Sequence, residues 1–73
     1  MGKLRVLSGD DVCVILSQHG FKNIRQRGSH VIMQRVDDEG ATTIPVPLHR
    51  ELRRGTLGAI IRQSGLSRLA FEE

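Results

Sequence analysis

One cysteine, two phenylalanines, and neither tyrosine nor tryptophan stand in a chain of 73 residues. A single thiol, Cys13, excludes an internal disulfide framework and a zinc site built on several cysteines, so the core must hold by packing alone. With only Phe21 and Phe71 as rings, a reader of single-stranded nucleic acid is disfavoured, because such platforms stack bases on several exposed aromatics. Long apolar runs are missing too. Val12 to Leu16 falls far short of the roughly 20 residues of a spanning helix, and Asp10 and Asp11 precede it where a secretory leader would be positive. A cytoplasmic protein with no membrane contact is expected. The chain also lacks G-x-x-x-x-G-K-[ST], H-E-x-x-H and G-x-S-x-G, which removes phosphate-loop, zinc-protease and hydrolase readings. Asp37 to Gly40 is too short for an EF-hand loop, and His19, His30, His49 and Cys13 have no metal-ligand spacing. Neither a metal nor a small-molecule cofactor is expected.

What is present is an ordinary globular mixture, 38% hydrophobic and 26% charged, sufficient for one domain over residues 1–73. A chain of this size buries only about 60% of the surface it exposes when unfolded, so its stability is thin. The net charge is +3, and the excess is concentrated. Lys22, Arg25, Arg27, Arg35, Arg50, Arg53, Arg54, Arg62 and Arg68 face only Asp37, Asp38, Glu39 and Glu51 over the same stretch. Most of the bases are arginine, whose planar fork pairs phosphate bidentately, and this leans toward a phosphate-bearing polyanion. A merely solvated basic surface is the plain alternative.

The order of elements reads as helix, three antiparallel strands, helix. Ser8 is placed to cap the amide of Asp11, and Val12, Ile15, Leu16 and His19 recur at i, i+3, i+4 and i+7, with Gly20 ready to end the helix. On that spacing His19 is a half-buried helix residue, and Cys13 is packing rather than chemistry. Phe21 to Arg27 and His30 to Arg35 read as a hairpin around Gly28-Ser29. In its second strand His30, Ile32 and Gln34 share one face and Val31, Met33 and Arg35 the other. A third strand is expected from Ala41 to Val46. Pro45 cannot donate a ladder bond, so that strand should be an edge or should end there. After the irregular basic segment Pro47 to Arg54, a second helix is expected with Thr56 as its N-cap and Leu57, Ile60 and Ile61 buried, closed by Gly65. Ser67 caps a last turn that docks Leu69 and Phe71. The fold class is α+β, a three-stranded antiparallel sheet with two helices on one face, which leaves the opposite face to a partner.

Two constellations can carry chemistry. Cleaving RNA by attack of a ribose 2′-hydroxyl on the adjacent phosphate requires a base near neutral pKa, a proton for the leaving oxygen and cations for the charge that develops. Imidazole and guanidinium supply these. His30 follows the Gly28-Ser29 turn, away from the helices, with Lys22, Arg25 and Arg27 on or beside the paired strand. Taken alone, His30 also fits a structural histidine. His49 is open between stabilising a turn and binding a ligand. The second constellation is Arg53-Arg54-Gly55-Thr56, where free amides at a helix start and two guanidiniums suit an anion, with solvated arginines as the alternative.

Four blocks together carry a family likeness: Gly20-Phe21; Arg25-Gln26-Arg27-Gly28-Ser29-His30; Val46-Pro47-Leu48-His49; and Gly55-Thr56-Leu57 followed by Ile60-Ile61-Arg62-Gln63-Ser64-Gly65-Leu66. Over nearly its whole length the chain resembles the HicA family of small RNA-cleaving toxins, the partners of HicB antitoxins. The resemblance implies a fold like that of double-stranded RNA-binding domains and places the family's catalytic histidine on His30. It further implies an endoribonuclease acting on mRNA without a metal and neutralised by a HicB-like protein. Lys22, Arg25, Arg27, Ser29, Arg50, Arg53, Arg54 and Thr56 are then the candidate RNA-binding residues. Two other readings stand beside it: a module that grips structured RNA without cutting it, and an operator-binding repressor using the second helix. Leu57, Ile60 and Ile61 leave that helix few side chains with which to read bases.

Overall fold

The computed structural model describes residue 3 and residues 5–72. The elements run α1 (Gly9–Gln18), β1 (Lys22–Arg27), β2 (His30–Asp37), β3 (Gly40–Pro47) and α2 (Arg54–Ser64), followed by a 3₁₀ turn over Arg68–Phe71. The strands form one antiparallel sheet in the order β1-β2-β3.

α1 begins where Ser8 and Asp11 cap each other. The Asp11 amide donates to Ser8 Oγ and the Ser8 amide to Asp11 Oδ2, both at 3.0 Å, which satisfies two orphan donors reciprocally. Val12, Ile15 and Leu16 then point inward. The helix ends at Gln18, and Gly20 turns the chain at φ +90, so His19 caps the end in solvent. Periodicity alone predicts it half-buried, but the helix stops one residue before it.

Val31 and Met33 of β2 pair with Val46 and Ile44 of β3, and all four are buried with Leu7, Val12, Ile15, Leu16, Phe21, Leu52, Leu57, Ile60 and Phe71. Both helices therefore cover one sheet face, and the other stays open. β3 is an edge strand that continues through Pro45 to Pro47. Leu48 N–H donates to Ser29 O at 2.7 Å, which makes His30 and Pro47 a non-hydrogen-bonded pair, and the alternation makes Ile32 and Pro45 another. At such positions the β3 main chain points off the free edge, so neither proline removes a ladder bond.

α2 starts differently from the sequence expectation. Arg53 is the N-cap, with no side-chain cap, and its carbonyl accepts the Leu57 amide at 2.9 Å. Thr56 is the third helical residue and half-buried. Burial of Leu52 and Leu57 sets where the helix winds, ahead of any hydroxyl cap. Gly65 closes it at φ +70. Ser67 caps the final turn through the Leu69 amide, and Phe71 is sealed in the core while Leu69 is 74% exposed. The expected docking of that turn is carried by Phe71, with Ala70 packed beside it against the core, and not by Leu69.

One glycine is demanded by crowding. A Cβ on Gly9 would lie 2.1 Å from the Pro47 carbonyl oxygen, and the Gly9 amide donates to the His49 carbonyl at 2.9 Å. The start of α1 thus abuts the end of β3. Gly9→Ala is expected to cost about 2–3 kcal/mol through that backbone clash, against about 1 kcal/mol for Ser8→Ala, read as urea midpoints. Hydrogen bonds from the Ser8 amide and then the Ser8 hydroxyl hold the Asp11 carboxyl below its usual 3.8. A depressed carboxyl contributes stability that is complete above the ordinary value and is lost as pH falls through the folded one. Asp11→Asn should make the acid limb of thermal stability shallower than in the unaltered protein, because the contribution of this carboxyl is removed.

Candidate active site

Gly28 takes φ +58, while among the described residues none other than glycine has positive φ. Ser29 therefore stays at negative φ, and the two central residues have the sign pattern of a type II′ turn, whose twist suits a tight hairpin. Arg27 and His30 close that hairpin as directly opposed partners. Opposed side chains leave the same face, with Cβ atoms about 4.5–5.5 Å apart.

A bulge organises the rest of β1. Pairing runs Lys22 with Gln34 and Asn23 with Met33, then skips a residue and resumes as Arg25 with Ile32, Gln26 with Val31 and Arg27 with His30. Simple alternation would have put Lys22 opposite in facing to Arg25 and Arg27. The extra residue restores parity, and all three cations project on the face that carries His30, Ile32 and Gln34. On the β3 side that face continues with Thr43, Pro45 and Pro47, and Gln34 Nε2 donates to Thr43 Oγ1 at 3.0 Å. Every β1 residue is exposed, as are Ser29 and His30. The ion pairs among the described residues are Arg35–Asp37 and Arg68–Glu72, so Lys22, Arg25 and Arg27 present their charge to solvent. The open face is thus a shallow cationic platform with one imidazole at the turn end.

Arg35 belongs elsewhere. It lies on the helix side, its guanidinium 4.8 Å from the Phe21 ring centroid and donating to the Ser64 carbonyl at 3.4 Å. Its Nε is buried without a hydrogen-bond partner, since Asp37 at 3.9 Å is too far for one. This base ties the sheet to the end of α2 and does not add to the open face.

The second predicted cluster does not join the first. Arg53 and Arg54 border a groove of about 360 Å³ with Lys3, Arg5, Val6, Glu51, Leu52 and Leu57. Because α2 packs on the covered side of the sheet, this groove is part of the helix layer. Arg50 is exposed in the bend between β3 and α2, and Thr56 is turned half inward. Lys3 and Arg5 are cations of this groove that sequence reasoning did not select; they precede the first element, where no periodicity or motif marks them. Cys13 packs against the core, and burial, then the Asp10 charge, raises its thiol pKa, which disfavours the nucleophilic thiolate. Among the described residues no three His, Cys, Asp or Glu side chains gather as a metal set, and no helix is long and apolar enough to cross a membrane.

Comparison with known proteins adds one match. The family model described as HicA toxin of bacterial toxin-antitoxin covers residues 9–66, which takes in both helices and the whole sheet. No curated protein matches the chain.

The turn that sets His30 on the open face can be tested by itself. Space around Gly28 is free, so Gly28→Ala should cost about 1–2 kcal/mol through the left-handed backbone alone. Gly28→Asn should cost less, because asparagine tolerates that region, and thermal denaturation of the two variants checks the order.

Proposed function

The chain belongs to the HicA family of bacterial toxin–antitoxin toxins, and on that premise we propose that it is an endoribonuclease that cuts mRNA without a metal, using His30. The observation that carries this reading is an exposed imidazole on an open sheet face, directly opposite Arg27 and in register with Arg25 and Lys22. A ribose 2′-hydroxyl brought to that ring can pass it a proton, or the ring can protonate the leaving oxygen. The guanidiniums of Arg25 and Arg27 are suited to the charge that develops on the phosphate, since bidentate donors fit its oxygens. Ser29 contributes from the turn. Arg50, Arg53, Arg54 and the first turn of α2 around Thr56 hold RNA backbone outside the reacting linkage.

A flat cationic platform with few rings grips phosphates and helical shape more than bases, so binding depends on counterion release and weakens steeply with salt. Arginine unneutralised on that scale is also a ready docking surface for an acidic partner. The family pairs each toxin with an antitoxin, and a HicB-like protein that covers the open face would bury His30 and match the Lys22, Arg25 and Arg27 charge.

A single positioned acid-base group contributes about 10² to 10⁴-fold to such a reaction. His30→Ala should therefore cut RNA at least about 10²-fold more slowly in the presence of chelator while binding it with similar affinity. Undiminished cleavage by that variant would remove His30 from the chemistry. If the unaltered protein binds RNA but leaves it intact with or without divalent cations, the domain is a non-cleaving RNA-binding module.

A further inference from the structure

Resting on the ribonuclease reading above, we propose that His49 is a second catalytic residue, sharing the two proton transfers of cleavage with His30. Backbone parity carries this. β3 is paired as far as Pro47, which stands directly opposite His30. The chain then keeps its alternation for two more residues. Leu48 turns its amide inward to Ser29 O at 2.7 Å and its side chain onto the core. His49 turns its carbonyl the other way, off the edge, where the Gly9 amide donates to it at 2.9 Å. The Pro47 carbonyl points to the same glycine, 2.1 Å from where a Cβ would stand. Carbonyls of residues 47 and 49 facing one way, with 48 bonded the other way, is the signature of extended chain. The His49 side chain therefore leaves on the side opposite to Leu48, the open face that bears Pro47 and His30.

In a regular ladder such diagonal neighbours are about 7–8 Å apart. Two imidazoles at that separation can hold a phosphodiester between them, each within about 2.6–3.2 Å of one oxygen. Both rings are exposed, and neither takes part in a side-chain hydrogen bond among the described residues. What His49 contributes to the fold goes through its carbonyl, which any residue supplies, so its ring has no structural duty there.

The chemistry balances without a co-reactant. One neutral imidazole takes the proton of the 2′-hydroxyl as O2′ bonds to phosphorus. The P–O5′ bond breaks, and the other ring, as imidazolium, gives its proton to O5′. The products are a 2′,3′-cyclic phosphate and a 5′-hydroxyl, and the two histidines end with their protonation states exchanged.

The test uses an RNA oligonucleotide that the protein cuts, and the same oligonucleotide with sulfur in place of the 5′-bridging oxygen at the mapped cleavage position. A thiolate leaves without being protonated, so loss of the general acid is forgiven on the sulfur substrate and loss of the base is not. His30→Ala and His49→Ala should each be slower on ordinary RNA by about 10²-fold or more. One of the two, and not the other, should recover on the sulfur substrate. His49→Gln, which keeps a polar side chain but cannot relay a proton near neutrality, should match His49→Ala, with both retaining the circular dichroism spectrum of the unaltered protein. If His49→Ala cuts ordinary RNA at the full rate while His30→Ala is inactive, or if neither variant recovers on sulfur, the sharing is refuted and the ribonuclease reading stands. If both variants cut ordinary RNA at the full rate, that reading falls as well.

Discussion

Leu48 donates its amide to the Ser29 carbonyl at 2.7 Å, and the face from which each neighbouring side chain leaves follows from that bond. It extends the pairing of β2 and β3 past the last strand residue and fixes its parity. Leu48 is thereby committed to the core, while Pro47 and His30 are committed to the open face. A slip of one residue would invert this and drive the imidazole under the helices, at the cost of expelling Val31 and Val46 from the core. The start of α1 holds the same segment from its other side, where Gly9 meets the Pro47 and His49 carbonyls. Core packing, helix start and site geometry are thus coupled through Gly9, Ser29, Pro47, Leu48 and His49, which is how so small a domain fixes an exposed side chain without a disulfide.

Charge is distributed over two layers with different surroundings. On the open face Lys22, Arg25 and Arg27 lie outside the ion pairs found among the described residues, with the small apolar surface of Ile32, Pro45 and Pro47 beside them. In the helix layer Lys3, Arg5, Arg53 and Arg54 surround a groove that also contains Glu51 and apolar side chains. A polyanion lying flat on the sheet meets the first set only, and reaches the second by passing the end of the sheet at Arg50. The two prolines also blunt the β3 edge, because they place no amide where another strand would look for one.

Much of this was legible in the chain. The Ser8–Asp11 box, the Gly20 and Gly65 stops, the Gly28-Ser29 turn and the split of β2 into two faces each follow from local chemistry, and local chemistry is what a sequence displays. The bulge in β1 was not legible, since Lys22 to Arg27 has no apolar alternation from which a skipped residue could be detected; yet that bulge gathers the three cations. Thr56 looked like a cap because hydroxyls often are, but tertiary burial of Leu52 and Leu57 moved the start of α2 to Arg53. Spacing alone points His19 inward and the Ser67 cap suggests docking of Leu69, but α1 ends just before His19, and the last turn buries Phe71 and leaves Leu69 in solvent. Pairings between distant residues, such as Gly9 with His49 or Lys3 with the groove, leave no trace in local pattern.

The most direct measurement is a titration of the protein with an RNA whose 2′-oxygens are methylated, so that it binds without being cut, followed through the ring resonances of the three histidines. His30 should shift and broaden as RNA is added, while His19, exposed at the far end of α1, should stay in place and serve as the internal control. A His30 signal that remains still while amides around Arg53 and Arg54 move would place RNA in the helix layer and contradict the assignment of the open face as the site.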